Sequence, residues 1–183
     1  MEYSHRYPAY PTQEGAVELQ HHIDIHRQAY NYTLYEYENV DADDIGSAYK
    51  HHYRLPDWKD EFPVFSEVNS KALQRTVTRF YQNLAGLSEQ KQNGRKVGKL
   101  KWKSPREFQS MTYSQSGFEL KNTSGRRATL WLSKIGDIPI RYHRRFQTKQ
   151  PSKKSSSRRR QLVSGSSPSA SKPMKLIYPR NLT

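Results

Sequence analysis

"LSKIGDIPIRYHRRFQTKQPSKKSSSRRRQLVSG", residues 132–165, joins two kinds of chain. Up to residue 142 it alternates. Ile138, Ile140 and Tyr142 fall on one side and Pro139, Arg141 and His143 on the other, the period of a strand with one buried face. Gly136-Asp137 ahead of it reads as a turn. Beyond Arg144 the alternation stops and a basic, serine-rich run takes over. A strand of this kind needs partners, and the chain before it has to supply them.

Short β-type runs do precede it: "KLKWK" (99–103), "FQSMTYS" (108–114), "GFELK" (117–121) and "ATLWL" (128–132), separated by turn residues. At the other end "EYSHRYPAY" (2–10) alternates aromatic and polar residues and reads as one more strand, ended by Pro11-Thr12. The intervening chain is helical. Ala16, Leu19, Ile23, His26, Tyr30, Leu34 and Tyr37 recur at spacings of three and four and predict a helix over 13–38, capped by Thr12. Residues 44–54 suit a second, short helix, and "LPDWKDEFP" reads as a loop around a buried-type Trp58. Leu73, Val77, Phe80 and Leu84 stripe a helix over 66–85, with Ser66 as its cap. Gly86 and "SEQKQNGRKVGK" read as a flexible basic linker. The expected fold is α+β: a small antiparallel β-barrel interrupted by a helical bundle. Residues 1–11 are its first strand, 12–90 the helical insertion, 91–144 the remaining basic strands, and 145–183 a disordered basic tail.

Charge is placed in blocks. The chain carries +14 overall, but residues 1–90 are net −6, 91–144 net +10 and 145–183 net +10. A basic half of this kind points to an anionic partner, nucleic acid first. Cys is absent, which excludes disulfides and thiolate metal sites. No stretch is long and apolar enough to span a membrane, and "MEYSHRYPAYP" has no apolar leader segment, so a cytoplasmic protein is expected. The tail holds nine Ser, four Pro and no acid. It reads either as a natural basic arm or as out-of-frame translation, and the break in mid-strand favours the second.

His22 and His26 have the i, i+4 spacing of a metal pair, but no third ligand is evident and a structural role is the better reading. His51-His52 reads the same way. Asp41, Asp43 and Asp44 form a solvated loop rather than a catalytic set, so no catalytic residue, metal, cofactor or small-molecule substrate is expected. The basic residues are more informative. Lys99, Lys101, Lys103 and Arg106 bracket Trp102, Lys121, Arg126 and Arg127 occupy a turn, and Lys134 and Arg141 follow. Basic side chains interleaved with aromatics suit phosphate contact and base stacking. Ser70, Lys71 and Gln74 share one arc of their helix, from which Gln74 could reach an adenine edge and Lys71 a phosphate or guanine.

These segments also resemble the TnpB/OrfB-type proteins, the transposon-encoded RNA-guided nucleases long labelled transposases. Tyr10, Pro11 and Thr12 match that family's strand end, and Arg27, Tyr30 and Asn31 its first helix. Glu67, Val68, Ala72, Leu73 and Gln74 match its next helix. Lys101, Trp102 and Lys103 loosely match a Pro-Arg-Phe-Lys segment. "LSKIGDIPIRYHR" closely matches a Pro-Lys-Ile-Gly strand pair, with Ser133 in place of proline. The resemblance covers residues 3–144. It implies a wedge barrel and a recognition bundle that hold guide or scaffold RNA and target DNA. Ser70, Lys71 and Gln74 would read the short DNA flank. The family's RNase H-like nuclease, with three metal-binding acids and usually a Cys-X-X-Cys zinc ribbon, has no counterpart here, since no acid follows Asp137. The expectation is a truncated, non-cleaving remnant. A stand-alone binding module or repressor with a natural basic tail, and a non-functional pseudogene product, stay open as alternatives.

Overall fold

The computed structural model describes residues 6–114 and 116–142, so the expected tail and the first residues of the expected N-terminal strand lie outside it. Helix α1 spans Gln13–Asn39. Thr12 caps it as its sequence predicts: the hydroxyl accepts from Gly15 N at 3.2 Å, with Glu14 in the first turn. Leu19, Ile23, Tyr30 and Leu34 are buried as their spacing predicts. Ile25 and Ala29 are buried too, because α1 is covered on more than one side, whereas Tyr37 is 40% exposed.

Helices α2 (Ala42–Ile45), α3 (Ala48–His52) and α4 (Leu55–Glu61) follow, then a 3₁₀ turn (Pro63–Ser66) and α5 (Ser70–Gln92). The expected loop at "LPDWKDEFP" is thus largely helix. Pro56 falls in the first turn of α4 and Pro63 opens the 3₁₀ turn, where a missing N–H is no loss, and Trp58 is buried as expected. Helix α5 starts later than expected because Pro63–Ser66 winds into the 3₁₀ turn and Asn69 does the capping, its Oδ1 accepting from Ala72 N at 3.1 Å. It also runs through Gly86 to Gln92, in place of the expected linker. Gly94, at φ +74°, stops it. Its N–H donates to Lys91 O and that of Arg95 to Gln90 O, both at 3.0 Å, the two bonds of a Schellman ending.

Strands β1 (Phe118–Ser124), β2 (Arg127–Leu132) and β3 (Gly136–Arg141) form an antiparallel sheet in the order β1-β2-β3. Residues 8–10 add to the free edge of β3: Tyr10 N donates to Pro139 O at 2.8 Å and Arg141 N to Pro8 O at 2.9 Å. The N-terminal segment therefore joins the sheet as expected, and all the helices lie between it and β1 in sequence. Among the described residues the sheet is open and the expected closed barrel is not formed. Closure needs enough strands for tilt and register to agree, and the runs at 99–103 and 108–114 do not become strands, apart from one bridge residue at Tyr113. The backbone of Lys103 is satisfied by a helix instead of a sheet neighbour. Its N–H donates to Asn31 Oδ1 at 2.8 Å and its carbonyl accepts from Asn31 Nδ2 at 3.1 Å. Residues 99–114 thereby form a strap over the helices, anchored by buried Phe108 beside Tyr30 and Phe80.

Three apolar cores result. The inner face of the sheet (Ala128, Leu130, Leu132, Ile138, Ile140) packs on Leu19 of α1 and Ala72 of α5. Ile25 and Ala29 pack with Trp58, Phe65, Leu73 and Val77. Ile23, Tyr30 and Leu34 pack with Phe80 and Phe108.

Candidate nucleic-acid interface

The buried side of β2 fixes what its other side presents. With Ala128, Leu130 and Leu132 inward, Arg127, Thr129 and Trp131 face out. The register lines them up with neighbours. Glu119, Trp131 and Asp137 form one row, and Lys121, Thr129 and Pro139 the next. Ser124, Arg127 and Arg141 form the third. The chain turns after the register shift between Lys121 and Ser124, with Gly125 at φ +57°, and Arg126 in that turn lines the same cavity as Arg127 and Arg141. Acidic residues thus lie at one end of the outer face and three arginines at the other.

Arg127 stands directly across from Arg141. Like charges paired across a sheet repel. Among the described residues no carboxylate forms an ion pair with Arg126, Arg127 or Arg141. These three line an open cavity of about 630 Å³ with Asn122 and Tyr10, the last 57% exposed. Farther along the face, Lys121 Nζ lies 5.2 Å from the Trp131 ring centroid and 3.8 Å from Glu119. Sequence reading singled out the arginines and Lys121. It missed Tyr10 and Asn122 as neighbours, since only the pairing of residues 8–10 with β3 brings Tyr10 there.

The strap holds a second group. Lys99, Lys101 and Arg106 are exposed, Lys103 is half-buried and Trp102 is 58% exposed. Glu107 is tied down: its carboxylate accepts from the backbone N–H and hydroxyl of Ser104, both at 3.0 Å, and these bonds hold its pKa below the usual carboxylate range. The strap attaches at Asn31, twelve residues along α1 from Leu19 under the sheet, about 18 Å at 1.5 Å per residue.

Ser70, Lys71 and Gln74 form a third group at the start of α5. Lys71 and Gln74 are exposed, while the Ser70 hydroxyl accepts from Lys59 Nζ at 2.6 Å. Ala72 of the same turn packs under the sheet. Lys134 joins none of these groups. It sits at φ +74° in the β2–β3 turn, at the opposite end of the sheet from Arg126. His22 and His26 point to different partners, Glu18 at 3.1 Å and Thr76 at 2.8 Å. Among the described residues no three His, Cys, Asp or Glu side chains gather to hold a metal ion, and no helix is long and apolar enough to cross a membrane.

Residues 1–40 match the model of the IS605 OrfB family described as a helix-turn-helix domain. The match supports a TnpB/OrfB-type transposase N-terminal region and suggests transposase-associated DNA binding. No curated protein matches the chain. Among described residues 6–40 there is one continuous helix, not two joined by a turn. Its buried residues pack on the sheet, α5 and the strap, while Val17, His21, Gln28 and Tyr35 stay exposed.

Proposed function

We propose that this chain, with its TnpB/OrfB-type N-terminal region, binds guide or scaffold RNA and target DNA through three basic surfaces and does not cut either. The observation that carries this is the Arg127–Arg141 pair. Arg127 and Arg141 are cross-strand partners that line one cavity with Arg126, and among the described residues no carboxylate is paired to them. That repulsion is relieved by an anion, and the exposed Tyr10 ring beside the same cavity offers a stacking surface. Lys99, Lys101, Lys103 and Arg106 extend the positive field along the strap, with Trp102 exposed among them. Lys71 and Gln74 present an exposed helical turn suited to a base edge and a phosphate, the role of reading a short DNA flank. The non-cutting part of the reading concerns these 183 residues alone and rests on the described ones, among which no three His, Asp or Glu side chains gather to hold a metal ion.

The test is binding of labelled RNA and DNA across a salt series. Each phosphate contact contributes a slope of about −0.9 for duplex DNA and −0.7 for a single strand in log K against log salt. The triple variant R126A/R127A/R141A is expected to weaken binding and flatten that slope by about two to three contacts, with folding intact because all three side chains are exposed. An unchanged slope would overturn the sheet surface as the contact. Metal-dependent cleavage by the purified chain would overturn the non-cutting part.

A further inference from the structure

We propose that a separate cleft, between α1, the 3₁₀ turn and the strap, receives one unpaired nucleobase of a bound strand. This rests on the nucleic-acid reading above, but the arginines that carry that reading take no part in it. Arg27, Gln28, Asn31 and Tyr32 of α1, Phe62 ahead of the 3₁₀ turn, and Trp102 of the strap line it, around about 270 Å³. At about 30 Å³ per water molecule that is the volume of about nine waters, enough for one nucleobase.

The walls are aromatic and fixed. Tyr32 meets Phe62 edge to face at 5.2 Å and Trp58 at 4.9 Å, so its ring is held from two sides. Trp102 has no ring partner among the described residues and is 58% exposed. An indole left open beside a fixed aromatic wall is a platform for a flat π-system.

The polar lining is set in place as well. Arg27 Nε donates to Asp24 Oδ1 at 2.7 Å, and Asn31 is committed to the Lys103 backbone. Gln28 Nε2 donates to Asp24 Oδ2 at 2.8 Å. That bond orients the amide and leaves its Oε1 and second N–H to meet a base edge. The i, i+4 pairs Arg27–Asn31 and Gln28–Tyr32 put all four on adjoining strips of one helix face. Lys101 and Lys103 flank Trp102 in sequence, the charge that a phosphate on either side of an inserted base requires. A neutral apolar ligand would leave those cations unmatched.

The experiment uses the whole 183-residue chain. Its probes are single-stranded RNA and single-stranded DNA of one mixed sequence, about 12 nucleotides long, and the matching duplex. Anisotropy reads affinity and tryptophan emission reads stacking. W102A is expected to lose about tenfold in single-strand affinity, the effect of one stacked base, with duplex affinity held within about twofold. W102F should keep most of the affinity, and single-strand binding should quench the emission lost in W102A. Loss with RNA alone, with DNA alone or with both identifies the strand and supports the cleft. Unchanged single-strand binding in W102A and F62A, while R126A/R127A/R141A weakens it, overturns the cleft and leaves the broader reading standing. Equal loss with duplex, or a change only in self-association, also overturns it. A wild-type chain that binds no probe overturns both.

Discussion

His26 lies wholly buried between α1 and α5, its Nδ1 2.8 Å from the Thr76 hydroxyl. Burial, then the charges of His22 and Arg79, pushes its pKa down to about 3. A histidine in the unfolded chain titrates near 6.5, so between 6.5 and 3 the unfolded state takes up a proton that the folded state refuses. Stability from this residue is complete above pH 6.5 and is lost as pH falls, by about 1.4 kcal/mol per pH unit. His26→Leu removes the titrating group, and Thr76 keeps its bond to Ala72 O. The variant should show a shallower drop in urea midpoint between pH 7 and pH 5; an identical drop would take His26 out of the account. Glu36 acts lower on the scale. Burial pushes its carboxyl up, but bonds to His51 and Arg54 outweigh that and hold it below 4.5. Its stabilisation is present above pH 4.5 and lost as pH falls below it, through its depressed folded value. Glu36→Gln should cost about 2–3 kcal/mol, below the usual 3–5 for a broken buried pair because Arg54 is 36% exposed. Chemical denaturation at pH 7 measures it. Neither role was legible in sequence. The His22–His26 spacing is visible there, but Thr76 and Arg79 reach His26 only through the packing of α5 on α1.

The strap is where elements diverge most from their sequence pattern. "KLKWK" alternates like a strand, and a strand needs a neighbour's backbone to satisfy its own. Asn31 provides that function from a helix, with one side-chain amide meeting both the N–H and the C=O of Lys103. No local pattern announces such a substitution, so the number of strands was overestimated and a closed barrel expected. The helices were more legible. Thr12 caps α1 and the stripe from Leu19 to Leu34 is buried, because capping chemistry and 3.6-residue periodicity are local. The true end of α5 was readable in principle from Asn93-Gly94, but the earlier Gly86 drew the boundary. Asn31→Ala removes both bonds to the half-buried Lys103 backbone, leaving its N–H unpaired and its carbonyl with only the longer bond from Arg27 Nη1 at 3.4 Å. It should cost about 2–3 kcal/mol at about 1–1.5 per bond. The Lys103 amide should then lose its protection in hydrogen exchange and trypsin should cut at Lys101 and Lys103 first. Protection that survives the substitution would mean that Phe108, Leu100 and the Arg79 bonds to Ser110 hold the strap without Asn31.

Across the whole molecule, two helices reach all three cores. Helix α1 places Leu19 under the sheet, Ile25 and Ala29 in the second core, and Ile23, Tyr30 and Leu34 in the third. Helix α5 does the same with Ala72, then Leu73 and Val77, then Phe80. The sheet has no second layer of its own among the described residues. Its inner face is covered by these two helices, so a boundary between a helical part and a β part, clear in composition and charge, is not a boundary in packing. The expectation is one cooperative unfolding unit. Leu19→Ala tests it because the side chain is 1% exposed and belongs to a helix while packing on strands. Its loss should cost about 2–5 kcal/mol through transfer and cavity. If the molecule unfolds as one, native-state hydrogen exchange will show the amides of Leu130 in β2 and Phe80 in α5 losing the same free energy. Loss at Leu130 with Phe80 unmoved would mean that the sheet opens by itself while the helices hold. In that case Arg127 and Arg141 would part without disturbing the strap, and the two basic surfaces would engage a strand independently.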